Sequence, residues 1–346
     1  MTTDSVGFLD AVQGLPEQLA AAHEAAGSLD PAGFPAADAI DNIVVLGMGG
    51  SGISGDVLAA VADCSLPVPV TVLKQYEVPK FVGPRTLAFA TSYSGGTEET
   101  LAMARDALDA GAHLISVCTG GPLAALATER GGLHLACPEG YMPRAALGAL
   151  VAPVFVTLFR MGILPEAHAW LVKAAEQLAR RRNQCRPTVE GTANPARELA
   201  RRIDRTIPLI YGGGALGAVA ASRWKADVNE NAKAPAFWNA YPELDHNEIC
   251  GWGQHGDVTR QVMTLVELRH GFEHPQVARR FDITRELVSE ALHDVLVVEA
   301  EGEGRLAQLL DLMYVGDWVS CYLALQNDVD PGPIDTIMQL KEAIAE

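Results

Sequence analysis

The segment Asn42–Gly52, NIVVLGMGGSG, joins five residues typical of a buried β-strand to a turn that contains four glycines. A short apolar run followed by glycines and then by a helical pattern predicts a strand, a tight turn and a helix in succession. Glycine lets the backbone approach an anion closely, and the first N–H groups of the helix carry the positive end of its dipole. The segment therefore predicts one βα unit of a parallel sheet, with a turn suited to a phosphate group.

The same arrangement recurs at Thr86–Thr100, TLAFATSYSGGTEET, where hydroxyl side chains surround the glycine pair Gly95-Gly96. Hydroxyls and helix-start N–H groups together can hold a dianion without a basic side chain. The predicted phosphate-binding residues of the two turns are Gly49, Gly50, Ser51, Ser92, Ser94 and Thr97.

Two other interpretations fit parts of this pattern. Gly47-x-Gly49-x-x-Gly52 has the glycine spacing of dinucleotide-binding folds, but Lys74 precedes any carboxylate after the second predicted strand. Ser94 or Thr97 is also suited to cap the helix that follows. Capping and ligand binding can coexist, so both stay open at this point.

Short strands alternate with helical stretches along the chain, which predicts an α/β fold with central parallel sheets. A second strand–glycine–helix sequence at residues 207–228, with its turn at Gly212–Gly217, predicts a second doubly wound, flavodoxin-like domain in tandem with the first. The expected strands are Ile43–Leu46, Val68–Leu73, Leu87–Thr91, His113–Val117, Leu133–Ala136, Ile207–Tyr211, Val262–Glu267 and Val295–Glu299.

These elements divide the chain into four expected segments. They are an N-terminal helical segment at 1–35, a first domain with the phosphate-binding loops at 36–165, a helical linker at 166–193, and a second domain with C-terminal helices at 194–346. Residues 5–26 have the apolar spacing of one amphipathic helix. Residues 232–257, rich in Pro, Asn, Trp and His, are expected to form an ordered loop region.

The composition excludes several classes of protein. The formal net charge of −17 argues against binding to nucleic acid or to an anionic membrane, and requires any phosphate site to be built from local dipoles and hydroxyls. No apolar run is long enough to span a bilayer, and the N-terminus lacks a basic region followed by an apolar one. No C-x-x-C pair occurs among the cysteines, which favours reduced thiols and a cytoplasmic protein. The cysteines are Cys64, Cys118, Cys137, Cys185, Cys250 and Cys321, of which Cys118, Cys137 and Cys321 are expected to be buried.

Three further residues carry groups suited to catalysis: two can transfer protons and one can face an anion. Glu230 is near the end of a long predicted helix, and His246 is in the 232–257 segment. A carboxylate and an imidazole together can move protons between carbons and from a ring oxygen. Arg144 stands at a predicted helix start, where a cation opposes the helix dipole unless it faces an anion. A solvated helix end, a surface loop and an ordinary surface arginine are the simpler alternatives.

Taken together, these segments resemble the bifunctional phosphoglucose/phosphomannose isomerases of the sugar isomerase (SIS) domain superfamily. The resemblance implies two SIS domains in tandem, a homodimer with active sites near the subunit interface, and interconversion of fructose 6-phosphate with glucose 6-phosphate or mannose 6-phosphate. The matching stretches, in the order of the family, are Gly47–Asp56, Ser92–Leu101, Pro138–Leu150, Asn229–Lys233, Glu243–Glu248 and Asp330–Lys341.

The resemblance also implies roles for particular residues. Glu230 resembles the base that moves a proton between C1 and C2 through a cis-enediolate, and Arg144 resembles the arginine that steadies this intermediate. His246 resembles the ring-opening histidine, which the neighbouring subunit can contribute, and Lys341 resembles a lysine near the ring oxygen. One departure is visible: Gly96 stands where the family usually has Asn, which changes a polar contact or the geometry of the phosphate loop.

Other functions stay open. An aminotransferase of the same superfamily would need a nucleophilic cysteine at the position of Thr2, and a sugar-phosphate sensor would normally carry a basic DNA-binding segment. An isomerase for another sugar phosphate and a sugar-phosphate-binding SIS protein without activity are further alternatives. The histidines lack the H-E-x-x-H spacing of zinc enzymes. We therefore expect a hexose 6-phosphate substrate, no metal and no other cofactor.

Overall fold

Residues 4–62 and 65–345 are described by the structure, a computed structural model. The predictions that involve residues 1–3 and Cys64 lie outside the described residues. The chain forms two units. The N-terminal unit comprises Gly14–Leu178 and Gly302–Ala307, and the C-terminal unit comprises Met1–Gln13, Ala179–Glu301 and Gln308–Glu346.

The regular elements alternate as the sequence predicts. The strands are β1 (Asn42–Leu46), β2 (Val70–Leu73), β3 (Thr86–Thr91), β4 (His113–Cys118), β5 (Leu133–Ala136), β6 (Ile207–Gly213), β7 (Phe237–Tyr241), β8 (Met263–Arg269) and β9 (Asp294–Glu299). The α-helices are α1 (Phe8–Gln13), α2 (Leu15–Gly27), α3 (Gly49–Ala62), α4 (Glu98–Asp109), α5 (Gly121–Glu129), α6 (Leu147–Arg160), α7 (Ala167–Cys185), α8 (Pro195–Ile203), α9 (Gly214–Asn231), α10 (Gly256–Val262), α11 (Pro275–Val288), α12 (Arg305–Gln326) and α13 (Asp335–Ala345).

The sheet of the N-terminal unit is parallel, with strand order β2-β1-β3-β4-β5. Its inner strands are mostly apolar and buried because helices cover both faces of a doubly wound sheet. Ile43, Val44 and Val45 of β1 have no exposed surface, and every residue of β3 is buried. Since β1 and β3 are neighbours, their carboxyl ends bring the two glycine turns to the same edge of the sheet.

The sheet of the C-terminal unit is also parallel, with strand order β7-β6-β8-β9. This is the order of the first four strands of the N-terminal sheet, so the two units share one topology. Its core contains Tyr211, Tyr241, Leu265 and Phe281. The predicted fold class, two α/β units with central parallel sheets, is confirmed.

Two local predictions are wrong. The single helix expected over residues 5–26 is divided at Gly14 into α1 and α2. Pro16 has no N–H to donate to the carbonyl of Val12, so an uninterrupted helix loses a hydrogen bond there. The loop region expected at 232–257 contains the edge strand β7, which is short because Pro235 and Pro242 flank it.

The predictions for the cysteines and for membrane insertion can also be compared with the structure. Cys118, Cys137 and Cys321 are buried, as expected. Burial raises the pKa of Cys137 to about 12, so this thiol stays protonated at neutral pH. Within the described part of the chain, no helix is both long enough and apolar enough to cross a bilayer.

Candidate active site

The first glycine turn connects β1 to α3 through close backbone contacts. A Cβ atom at Gly52 would lie 2.5 Å from the carbonyl oxygen of Gly47, which no side chain tolerates. Gly49 has a φ of +48°, a left-handed conformation that glycine adopts without penalty. The predicted residues Gly49, Gly50 and Ser51 form the first turn of α3, where backbone N–H groups are suited to bind an anion.

The second glycine turn holds its hydroxyls in a local network. The Oγ of Ser92 lies 2.9 Å from the Oγ1 of Thr97, and the N–H of Gly96 donates to the Oγ of Ser94 at 3.3 Å. Thr97 occupies the N-cap position of α4, as the capping interpretation expects. Among the described contacts, however, its side chain makes no capping hydrogen bond. Its hydroxyl instead lies beside that of Ser92 at the start of the helix.

Two hydrogen bonds join the first turn to the end of β3. The N–H of Tyr93 donates to the Oγ of Ser51 at 3.1 Å, and the Oγ1 of Thr91 donates to the carbonyl of Ser51 at 3.0 Å. Both bonds follow from the pairing of β1 with β3. The structure therefore brings together the two turns that carry the predicted phosphate-binding residues.

Arg144 belongs to the same region of the N-terminal unit. A Cβ atom at Gly50 would lie 3.0 Å from the Cα of Arg144, so the two backbones are in contact. Only 4% of Arg144 is exposed. The residue lies in a 3-10 helix, Pro143–Ala145, and α6 begins three residues later, which corrects the expectation that Arg144 starts the helix.

A residue that the sequence reasoning missed holds the start of α6. Gln18, on the buried face of α2, donates through Nε2 to the carbonyl of Ala145 at 2.8 Å. Its Oε1 accepts hydrogen bonds from the N–H groups of Gly148, at 2.6 Å, and of Ala149, at 3.1 Å. These contacts hold the chain just after Arg144, at the Ala145 carbonyl and the first N–H groups of α6. The only signal in the sequence is a glutamine among the apolar residues of an amphipathic helix.

Glu230 lies one residue before the end of α9 and is half-buried.

The glycine turn that precedes α9 has a structural role, because a Cβ atom at Gly212 would lie 2.0 Å from the carbonyl oxygen of Gly217. This close approach repeats the contact between Gly47 and Gly52 in the first turn. Both α3 and α9 therefore begin at a turn in which two glycine backbones are in close contact.

A buried charge cluster lies on the same helix as Glu230. Arg223 contacts two carboxylates, Asp227 at 2.8 Å and Asp317 of α12 at 3.0 Å. Burial, opposed by Arg223 and reinforced by Asp317 and Glu230, raises the pKa of Asp227 well above its usual range. One guanidinium therefore faces two carboxyl groups, of which one tends to keep its proton.

His246 is exposed at the end of a 3-10 helix, Glu243–His246. It lies between Asp245 and Glu248, whose carboxylates are both held by hydrogen bonds. On one side, the Asp245 carboxylate accepts hydrogen bonds from Arg280 at 2.8 Å and from Thr284 at 2.9 Å, both on α11. These contacts attach the His246 segment to the helix layer of the C-terminal unit.

On the other side of His246, Glu248 is bound to the strands of the sheet. Its carboxylate accepts hydrogen bonds from the amide of Asn239, on β7, at 2.5 Å and from the hydroxyl of Tyr211, on β6. Burial, with this bond to Glu248, raises the pKa of Tyr211, so the phenol remains protonated. The sequence reasoning missed these anchors because it did not predict β7.

Lys341 is exposed on α13. Within the described residues, no hydrogen bond or ion pair joins Lys341 to Glu230 or His246. The N-terminal unit thus brings its predicted residues together around two glycine turns, whereas the C-terminal unit carries Glu230, His246 and Lys341 on separate elements.

In the described ranges 4–62 and 65–345, no group of three or more His, Cys, Asp or Glu residues is arranged to hold a metal ion.

The chain is similar to known proteins over most of its length. A family profile described as "Bacterial phospho-glucose isomerase C-terminal SIS domain" matches residues 192–344. In the solved structure of the C-terminal domain of glucosamine-fructose-6-phosphate aminotransferase from Francisella tularensis, 97% of that chain matches 94% of this one, with a TM-score of 0.67. The identity between the two is 15%, so this similarity shows a shared fold alone.

Two curated relatives carry the same name. A bifunctional phosphoglucose/phosphomannose isomerase from Caldicellulosiruptor bescii is 35% identical to this chain, over 98% of this chain and 99% of the relative. Another, from Aquifex aeolicus, is 33% identical, over 87% of this chain and 90% of the relative. Because this similarity extends over nearly the full length of both chains, the chain belongs to the family of bifunctional phosphoglucose/phosphomannose isomerases.

Proposed function

We propose that this chain is a metal-independent aldose–ketose isomerase that interconverts fructose 6-phosphate with glucose 6-phosphate and mannose 6-phosphate. The observation that carries the proposal is the 35% identity, over nearly the whole of both chains, to a protein named for these two activities. The hydroxyl-lined pair of glycine turns supports it, because an anionic substrate of a chain with net charge −17 needs a locally built site.

In this proposal the phosphate of the sugar binds to the two glycine turns. The first N–H groups of α3 and α4 supply the positive ends of two helix dipoles. The hydroxyl side chains donate hydrogen bonds to the phosphate oxygens, which are strong because the acceptor is charged. The proposed phosphate ligands are Gly49, Gly50, Ser51, Ser92, Ser94 and Thr97.

The proposed reaction moves one proton between two carbons. His246, with Lys341, transfers the proton that opens the sugar ring. The Glu230 carboxylate removes the C2 proton of the open-chain aldose, and the electron pair passes to O1 to give a cis-enediolate. The Arg144 guanidinium stabilises the charge on this intermediate. Glu230 then returns the proton to C1, while the hydroxyl proton moves from O2 to O1, which yields the ketose.

The proposal includes a homodimer, the assembly that the resemblance to the family implies. His246 is exposed on its own chain. An exposed histidine is available to a substrate bound by another subunit, which is the arrangement proposed here.

The experiment that tests the function is an assay of the purified protein with fructose 6-phosphate, in the presence and absence of EDTA. Glucose 6-phosphate and mannose 6-phosphate are separated and quantified directly, so that no coupling enzyme is exposed to the chelator. We expect both products to form, each at the same rate in the presence and in the absence of EDTA. Inhibition by EDTA would contradict metal independence. Binding of a sugar-phosphate analogue without turnover would contradict the isomerase function and favour a sugar-phosphate-binding protein.

A further inference from the structure

The end of α9 is held on both sides of Glu230 by polar side chains. The amide of Asn229 donates to the carbonyl of Ala234 at 2.8 Å, which fixes the turn after the helix. The amide of Asn231 donates to the hydroxyl of Ser320 at 2.9 Å, which attaches the same helix end to α12. The backbone on which Glu230 stands is therefore restrained by its immediate neighbours.

Lys233 adds a third restraint, and it acts on Glu230 directly. Its Nζ donates to the carbonyl of Glu230 at 2.8 Å and lies 3.3 Å from that of Asn231. It also donates to the carbonyl of Pro331, at 3.2 Å, in the turn that leads to α13. The ammonium thus occupies the negative end of the α9 dipole. It joins the helix of Glu230 to the segment that precedes the helix of Lys341.

The backbone of Lys233 indicates that this side chain is needed. Its φ is +53°, a left-handed conformation just beyond a helix end, where glycine is the usual residue. The conformation is unfavourable for any residue with a Cβ atom. The chain keeps a long cationic side chain there, and the contacts to three carbonyls are what that side chain supplies and glycine lacks.

A nearby carboxylate favours the position of the ammonium. Burial would raise the pKa of Asp330, but hydrogen bonds from Ser5 and Gly332, together with the charge of Lys233, hold it below its usual range. Asp330 is therefore ionised at neutral pH and attracts Lys233 towards the 330–332 turn. The same carboxylate accepts the N–H of Gly332 at 2.9 Å, which shapes that turn.

We propose that Lys233 is a positioning residue that fixes the peptide carbonyl of Glu230 against the turn before α13 and so holds the Glu230 carboxylate in place for proton transfer. The inference rests on the proposed role of Glu230 as the base. Lys233 takes no proton in the reaction and touches no substrate. Its loss should therefore reduce the rate of the chemical step and leave substrate binding nearly unchanged.

Three variants of Lys233 test this inference. In Lys233→Met, which keeps the length of the side chain but not its charge, we expect kcat to fall by about 10- to 100-fold and KM to stay within about twofold. In Lys233→Arg, most of kcat should return, because a guanidinium can donate to the same carbonyls. In Lys233→Gly, kcat should fall as in the Met variant while the thermal unfolding midpoint does not, because glycine relieves the left-handed backbone.

A matched control is Lys225→Met, the same change at a half-buried lysine within α9, the helix that carries Glu230, which should leave kcat and KM unchanged. Full kcat in Lys233→Met, a loss mainly in KM, or an equal loss in the control would each overturn the inference. So would a loss in the Met and Gly variants that follows only from a lower unfolding midpoint. A wild-type protein without isomerase activity, or a fully active Glu230→Gln variant, would instead refute the role of Glu230 itself and with it the basis for Lys233.

Discussion

The hydroxyl of Ser51 accepts a hydrogen bond from the N–H of Tyr93 at 3.1 Å, which joins the two glycine turns of the N-terminal unit. A hydroxyl that accepts one hydrogen bond still has its own hydrogen to donate. The contact therefore orients Ser51 as a donor at the first turn of α3. Ser92 and Thr97, whose hydroxyls lie 2.9 Å apart, provide a second pair of hydroxyls at the start of α4.

Removal of two of these hydroxyls should weaken substrate binding. We expect the double variant Ser51→Ala with Thr97→Ala to lower the affinity for a sugar 6-phosphate by about 100-fold, because each hydrogen bond to a charged group contributes about 1.5 kcal/mol or more. The affinity for an unreactive analogue, glucitol 6-phosphate, is measured by calorimetry. Thr128→Ala is the control, because the exposed Thr128 hydroxyl donates to the carbonyl of Ala124 in its own helix, α5. Unchanged affinity in the double variant would mean that the phosphate binds elsewhere.

The neighbouring glycines Gly95 and Gly96 should respond in opposite ways to a side chain. Gly95 has a φ of +67°, and a Cβ atom there would lie 1.9 Å from the carbonyl oxygen of Gly120. Gly95→Ala should therefore lower the free energy of unfolding by about 2 kcal/mol or more. At Gly96 the nearest atom to a Cβ is the Oγ of Ser94 at 3.9 Å.

The variant Gly96→Asn should therefore fold with an unfolding midpoint close to that of the wild type. It introduces the residue that the resemblance to the family implies at this position, and we expect its KM for fructose 6-phosphate to be equal to or below that of the wild type. Thermal unfolding and steady-state kinetics check both outcomes. An unfolding midpoint that falls as much in Gly96→Asn as in Gly95→Ala would contradict this account of the loop.

Loss of the Glu230 carboxylate should slow turnover strongly without loss of substrate binding. We expect Glu230→Gln to reduce kcat by roughly 10²- to 10⁴-fold, the usual contribution of a general acid–base group, with little change in affinity for glucitol 6-phosphate. The same change at Glu286, an exposed residue on α11, serves as the control. Near-normal activity of Glu230→Gln would show that another group moves the proton.

The raised pKa of Asp227 predicts a pH dependence of stability. Because Asp227 ionises near pH 4 in the unfolded chain and at higher pH in the folded one, its burial lowers stability progressively as the pH rises through this interval. Asp227→Asn removes this loss. The difference in unfolding midpoint, variant minus wild type, should therefore increase from pH 5 to pH 8.

The unfolding midpoint is followed by circular dichroism at several pH values. The exposed residue Asp106, changed to Asn, provides a control that should show no such trend. A constant difference between Asp227→Asn and the wild type would indicate that Arg223 keeps Asp227 fully ionised throughout this range.

The local sequence was sufficient to predict most of the architecture. Fully apolar runs such as Ile43–Leu46 indicate strands covered on both faces, and the glycines after them mark tight turns into helices. The sequence reasoning failed where tertiary contacts decide the local structure. β7 contains three aromatic residues that favour a strand, but it is only five residues long, and its pairing with β6 is what makes it the edge strand of the sheet.

The sequence by itself determined the fold class and the two glycine turns, because glycine spacing and apolar periodicity are local properties of the chain, while the resemblance to the family implied the roles of residues such as Lys341. The tertiary structure alone decided which of these residues meet. Pairing of β1 with β3 places Ser51 beside Tyr93, Gln18 holds the chain just after Arg144, and Lys233 reaches the carbonyl of Glu230. These contacts depend on strand order and on long side chains that bridge separate elements, and neither is encoded in a local pattern.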